Sequence, residues 1–250
     1  MHRGPSSSRF GVALLRPLLW AVVAALLAVA FAWSMQSLPQ IRTADLSLVL
    51  AARRASGPVG DALALGIDIV FGPRAAVALV ALVALVHGLA RRSTTAGLRL
   101  ALLVAVPWAT AALLKAIVAR PRPDLTLLPP GPVDVPGSFS FPSGHTAVAA
   151  ALCCAILLTL RPGRSRAAAT VLAAVVVGLT AWSRVALGVH HPSDVLASAV
   201  LVPVLARQAR AVLDLVLPIP REQAEHHRRR RPPTIPPDTD RRTAEVPRPS

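Results

Sequence analysis

The sequence predicts an all-α fold: a polytopic membrane helical bundle of six transmembrane helices. Three observations predict it. The 250 residues are 54% hydrophobic and only 16% charged, with a mean hydropathy of +0.56, a composition that belongs to membrane chains rather than soluble domains. Six apolar runs lie at about 12–33, 72–90, 98–118, 144–160, 167–187 and 193–213, each close to the roughly 20 residues that span a bilayer as a helix. The basic excess, 27 Lys+Arg against 12 Asp+Glu, sits mainly in short segments between the runs and in the tail. That is a topology pattern and speaks against a nucleic-acid partner.

Each element follows in order. Arg3, Arg9 and Arg16 precede or open the first run. Ala30-Phe31-Ala32 resembles a signal-peptide cleavage site, but an apolar stretch of about 22 residues exceeds the usual 7 to 15 of such a leader, so the run is read as a retained span. The stretch from Asp45 to Phe71 is interrupted by Arg53-Arg54, Ser56-Gly57-Pro58, Asp61 and Asp68, which predicts interfacial helices rather than a seventh crossing. Arg91, Arg92 and Arg99 lie between the second and third runs, Arg161, Arg164 and Arg166 between the fourth and fifth, and Arg207 and Arg210 end the sixth. All these groups fall on one side, and Lys and Arg are retained on the cytoplasmic side. Both termini are therefore expected in the cytoplasm, with the loops at 34–71, 119–143 and 188–192 facing outward. Arg42, Arg53, Arg54, Arg120 and Arg122 run against that rule and require another explanation. The Ala- and Arg-rich composition suits a bacterial-type plasma membrane.

Cys153 and Cys154 are neighbours inside an apolar run and read as small buried hydrophobes. The membrane domain is expected over residues 1–213. From 214 to 250 the apolar pattern gives way to prolines and the basic run Arg228 to Arg231. Such a segment cannot bury a core, so it is read as a disordered basic cytoplasmic tail, able to touch anionic membrane lipids.

Three polar clusters sit at the outward ends of the spans, where charge is costly and usually functional. Lys115 to Pro123 closes the third span with Lys115, Arg120 and Arg122; Pro142-Ser143-Gly144-His145 opens the fourth; Ser183-Arg184 closes the fifth, and His190-His191-Pro192-Ser193-Asp194 opens the sixth. Singly, each has a plain reading: lysines and arginines snorkel to headgroups, and Ser143 is a helix N-cap. Jointly they suit a phosphate. Lys115, Arg122 and Arg184 supply charge, the guanidinium forks matching phosphoryl oxygens. The N–H groups opening a helix at Ser143-Gly144-His145 add an anion site that Gly144 lets a ligand approach. Two histidines on separate helix ends then supply a nucleophile and an acid.

These residues, Lys-x6-Arg-Pro, Pro-Ser-Gly-His and Ser-Arg-x5-His-x3-Asp, resemble the three-part signature of the type 2 phosphatidic acid phosphatase superfamily, membrane lipid phosphatases related to vanadium haloperoxidases. The resemblance covers about 80 residues. It implies a six-helix haloperoxidase-like core and hydrolysis of a lipid phosphate or diphosphate through a phosphohistidine, with no metal or other cofactor. It implies His190 as nucleophile, Asp194 fixing its tautomer, and His145 as general acid, with Lys115, Arg122, Ser143, Gly144 and Arg184 holding the phosphate. Nearby cations would keep the imidazole unprotonated. Family spacing selects Arg122 over Arg120, leaving Arg120 as an accessory or headgroup contact. It selects His190 over His191, and Pro192 at the first helical position makes His191 the N-cap. The expected partners are the lipid phosphate substrate and membrane lipids. Isoprenoid diphosphate, phosphatidic acid and phosphatidylglycerol phosphate all suit the site. A lipid phosphotransferase with the same site and a non-catalytic lipid-binding protein are the alternatives; the latter would be marked by a missing nucleophile or acid.

Overall fold

The computed structural model describes residues 7–134 and 137–218. Among them eight α-helices follow one another: α1 (Ser7–Ser37), α2 (Pro39–Ala55), α3 (Pro58–Phe71), α4 (Pro73–Ala90), α5 (Thr94–Val118), α6 (Gly144–Thr159), α7 (Arg164–Ala186) and α8 (Pro192–Val216), with a 3₁₀ turn at Leu125–Leu127 between α5 and α6. Four helices begin on proline, α2, α3, α4 and α8. The first turn tolerates it because the missing N–H has no intrahelical acceptor there. Ser93 caps α5, its hydroxyl accepting from Ala96 N at 3.2 Å.

Five helices, α1, α4, α5, α7 and α8, are long and apolar enough to cross a membrane. The fourth expected span, α6, has 16 residues, about 24 Å at 1.5 Å per residue, against a hydrocarbon core of about 30 Å. Its burial gives the physical reason. Ala147, Ala149, Ala151 and Ala155 on α6 are fully enclosed, packed by α5, α7 and α8. A helix enclosed by protein over most of its length, with only its C-terminal end around Ile156 exposed, need not match the bilayer thickness. Alanine also lets the neighbouring backbones approach closely. Gly97 does the same between α4 and α5, where a Cβ would stand 2.8 Å from the Ala84 carbonyl oxygen.

Outward faces are apolar. Leu15, Leu19, Val22 and Leu26 on α1, Leu82 and Leu89 on α4, and Val171 and Leu172 on α7 are all more than half exposed. A contiguous apolar exterior is unstable in water but ordinary against lipid tails. Among the described residues the chain is all-helical, with the apolar exterior of a membrane protein.

The segment expected to hold interfacial helices forms α2 and α3, of 17 and 14 residues, neither of which is among the helices able to cross. Arg53 near the end of α2 ties them together. It donates to both carboxylate oxygens of Asp61, at 2.5 and 2.6 Å, and to the carbonyls of Ala186 and Pro130. At the far end of the bundle Arg99 donates to the carbonyl of Leu213 in the last turn of α8 at 2.7 Å and to that of its C-cap Leu217, and pairs with Asp214. Helix α8 thus extends to Val216, three residues beyond the boundary expected at 213, because Arg99 satisfies its terminal carbonyls. The rest of the expected disordered tail, from residue 219, and Arg3 at the N-terminus lie outside the described residues.

Candidate active site

Four helix ends meet at one end of the bundle: the C-terminal ends of α3, α5 and α7 and the N-terminal end of α6. The loop between α7 and α8 completes the set. They enclose a cavity of about 430 Å³ lined by Asp68, Lys115, Arg122, Gly144, His145, Arg184 and His190, with Gly72-Pro73 of the α3–α4 junction. The opposite ends of the helices carry Arg91, Arg92, Arg161, Arg164, Arg207 and Arg210.

His190 sits in a tight turn after α7. Gly188 has φ +75°, and a Cβ there would stand 2.7 Å from Leu128 Cδ1 and 3.2 Å from Leu125 Cδ2. Only glycine meets both demands without strain. The turn buries His190 to 2% exposure and sets its two ring nitrogens in different surroundings. Nε2 is 3.2 Å from Arg122 Nη1, on the cavity side; Nδ1 stands 3.4 Å from Asp194 Oδ2 and has no other partner among the described residues. Burial pushes the imidazole down to about 3; Asp194 pulls it the other way, and the charges of Arg122 and Lys115 add to the depression. The ring is therefore neutral at physiological pH.

His191 is the N-cap of α8, with Pro192 at the first position and its backbone N–H donating to Asp194 Oδ2 at 2.9 Å. Its Nδ1 is also 3.4 Å from Asp194 Oδ2. Distance to the carboxylate does not separate the two histidines. The cavity does: His190 lines it and His191 does not.

The cations surround the same space. Arg184 is 3% exposed; its Nη1 pairs with Asp68, while Nε and Nη2 are buried without a partner among the described residues. Lys115 Nζ donates to the carbonyls of Phe139 and Ser140, at 2.7 and 3.2 Å. Arg122 is held by Ser138, donating to its carbonyl at 2.7 Å and its hydroxyl at 3.0 Å, and by the Val189 carbonyl at 2.5 Å. Gly144 opens α6 with free space where a Cβ would be. His145 follows, its Nε2 2.9 Å from Asp68 Oδ1.

Two residues singled out in the sequence stand away from the cavity lining. Ser143 is fully buried and does not line the cavity. Its hydroxyl accepts from the Thr146 N–H at 3.4 Å and from the Thr146 hydroxyl at 3.1 Å, so it caps α6, while Gly144 and His145 line the cavity. Arg120 is no headgroup contact: it is 2% exposed, paired with Asp45 at 2.8 Å and Asp194 at 2.7 Å. Asp68 was missed. The sequence shows it as a break in an apolar run, yet it bonds both His145 and Arg184. Those two partners hold its carboxyl at about 2, His145 contributing most. A carboxylate near the end of an apolar segment, four residues before Gly72-Pro73, is the signal that could have found it.

Residues 96–209 match the family model described as PAP2 superfamily. Two curated relatives, each a decaprenylphosphoryl-5-phosphoribose phosphatase from Mycobacterium tuberculosis, strains CDC 1551 / Oshkosh and ATCC 25618 / H37Rv, are 41% identical over 90 residues, 36% of this chain and 46% of theirs. The chain thus matches about half the length of these relatives. Among solved structures, the transmembrane PAP2 type phosphatidylglycerolphosphate phosphatase from Bacillus subtilis superposes with a TM-score of 0.66 and 25% identity, covering 77% of this chain and 94% of that one. The matched stretch carries Lys115, Arg122, His145, Arg184 and His190 around one cavity, with Asp194 beside His190, and over residues 96–209 the chain is similar to the PAP2 superfamily.

Proposed function

We propose that this chain is a membrane lipid phosphatase that hydrolyses a phosphomonoester or diphosphate of a lipid through a phosphohistidine on His190. One observation carries the reading: the buried, unpartnered Nε and Nη2 of Arg184 border a cavity shared with His190 and His145. A buried guanidinium with two open donors is a costly arrangement unless an anion completes it.

In the reaction, Nε2 of neutral His190 attacks phosphorus, and the bond to the leaving oxygen breaks in line. Asp194 receives the Nδ1 proton in a hydrogen bond and so stabilises the positive charge that develops on the ring. His145 gives its proton to the leaving oxygen. Arg122, Arg184, Lys115 and the N–H groups of Gly144 and His145 stabilise charge on the equatorial oxygens. Water then attacks the phosphohistidine, losing its proton to His145; the N–P bond breaks and phosphate leaves. Asp68 orients His145 and Arg184 until the substrate phosphate becomes their partner.

The cavity end lies opposite the arginine-bearing turns, so the positive-inside rule places it on the outer face with both termini in the cytoplasm. The substrate is a lipid whose phosphate reaches the outer leaflet surface. The relatives' names supply two candidates, decaprenylphosphoryl-5-phosphoribose and phosphatidylglycerol phosphate. Phosphate release by the purified protein from these two, undecaprenyl diphosphate and phosphatidic acid tests the reading. Turnover of at least one is expected, and none with all four would sink it.

A further inference from the structure

Behind His190 Nδ1, on the Asp194 side, lies a group of buried polar residues of which the reaction above uses only Asp194. Asp45 of α2 is 6% exposed, Arg120 2%, Ser193 7%, Ser140 and Asp194 0%. Charges enclosed this far survive only when paired. Arg120 Nη1 donates to Asp194 Oδ1 at 2.7 Å and to Ser193 Oγ at 2.6 Å; its Nη2 donates to Asp45 Oδ2 at 2.8 Å. Asp45 in turn accepts from the Ser193 N–H at 3.1 Å and from its hydroxyl. The other oxygen of Asp194, Oδ2, accepts from Ser140 and from the His191 N–H and faces both imidazoles.

The two oxygens of Asp194 are thereby divided, one to the guanidinium and one to the histidine side. We propose that Arg120, braced by Asp45 of α2, is a positioning residue that orients and charge-balances Asp194 and so keeps His190 in its nucleophilic form. The inference rests on His190 being the nucleophile. It also gives α2 a part in the reaction: the helix brings Asp45 to a point where one arginine is shared between two carboxylates.

Charge sets the direction of the effect. His190 is faced by Asp194 from α8 and by Arg122 and Lys115 from the α5 end, and it shares the cavity with Arg184, His145 and Asp68; Asp45, Arg120 and His191 surround Asp194. Removing the positive charge of Arg120 leaves Asp45 and Asp194 as two uncompensated buried carboxylates, and such a site takes up a proton. Asp194 faces His190 and has lost its hydrogen-bonded guanidinium, so the proton is drawn to this pair; on either residue it removes the neutral imidazole with a carboxylate acceptor, and activity falls first at low pH.

The test uses full-length protein in detergent and whichever lipid of the four above is turned over fastest, one substrate in all arms so that its own ionisation cancels. For Arg120→Gln that unfolds and elutes like wild type, kcat is expected to fall about 100-fold with KM unchanged within about threefold. The acid limb of kcat/KM should move up by about one pH unit or more. Arg120→Lys should recover most of both, and Asp45→Asn should lose about tenfold in kcat alone. An unmoved acid limb in Arg120→Gln, a loss confined to KM, or no recovery with lysine would overturn the proposal. Should Arg120→Gln fail to fold, Asp45→Asn decides, and wild-type kcat there overturns it equally. His190→Ala runs beside them: if it still turns over, the nucleophile reading falls and this inference with it. If it is inactive while Arg120→Gln behaves as wild type, only the positioning role is lost.

Discussion

Replacing each of the adjacent histidines by alanine gives the sharpest test of the site, because the two rings are alike in sequence and in distance to Asp194 but not in what they face. Both Nδ1 atoms are 3.4 Å from the same carboxylate oxygen, so a role set by Asp194 alone would make the two variants equal. His190, however, turns Nε2 to Arg122 at 3.2 Å and lines the cavity, whereas His191 does not. His190→Ala removes the attacking atom, and what remains is binding and charge stabilisation. Loss of a covalent nucleophile costs about 10⁴-fold or more in kcat, roughly 5.5 kcal/mol at 1.36 kcal/mol per tenfold. In His191→Ala the backbone N–H that caps on Asp194 at 2.9 Å is retained. The expected cost is then about 1 kcal/mol or less of stability and a kcat within about fivefold of wild type. The two variants should differ by about 10³-fold or more. Phosphate release by detergent-purified protein measures this. Rapid quenching with a labelled substrate should in addition trap an acid-labile, base-stable phosphoprotein in wild type and in His191→Ala, and none in His190→Ala. Equal loss in both variants, each shown to be inserted and folded, would refute the reasoning, as would label retained by His190→Ala.

Three further predictions follow from the same geometry. Turnover should persist in excess chelator, since Arg122, Arg184 and Lys115 supply the charge the phosphate needs; activity restored only by a divalent cation would contradict this. Gly188→Ala should lower the thermal midpoint measurably, by about 2–4 kcal/mol of stability, from a positive φ and a Cβ that meets Leu128; an unshifted melt would show that the turn relaxes freely. The carboxyl of Asp61 is held at about 2, chiefly by the hydrogen bond from Arg53. Because the folded value lies below the ordinary 3.8, its stabilisation is complete above about pH 4 and is lost as pH falls toward 2. Melts of wild type and Asp61→Asn should therefore converge over that interval, and a gap constant with pH would exclude the ion pair as its cause.

Much of this was legible in the sequence, for identifiable reasons. Apolar runs of about 20 residues mark spans because a bilayer leaves no other solvent for them. Positive charges at alternate turns mark which ends share a side. Lys115, Arg122, His145, Arg184 and His190 could be assigned to one end of the bundle because each lies within a turn or so of a helix terminus. Of the five arginines that broke the positive-inside pattern, Arg42 and Arg54 are exposed, but Arg53 and Arg120 are buried and Arg122 half-buried, each held by internal partners.

What lay beyond the sequence is whatever depends on partners distant along the chain. Composition shows Asp45 and Asp68 only as interruptions, since the residues that pair with them, Arg120 and Ser193 for one, Arg184 and His145 for the other, are 75 to 148 and 77 to 116 positions away. From its position alone Ser143 suits a cap as well as a phosphate contact, and only packing shows that its hydroxyl caps α6. The histidine pair is the clearest case. Spacing singled out His190, but Asp194 stands equally near both rings, and the turn at Gly188 decides which imidazole faces the cavity. Local pattern determines where a helix ends and what it carries there; only packing determines which way each side chain at that end is turned, because that direction is set by neighbours the linear order does not contain.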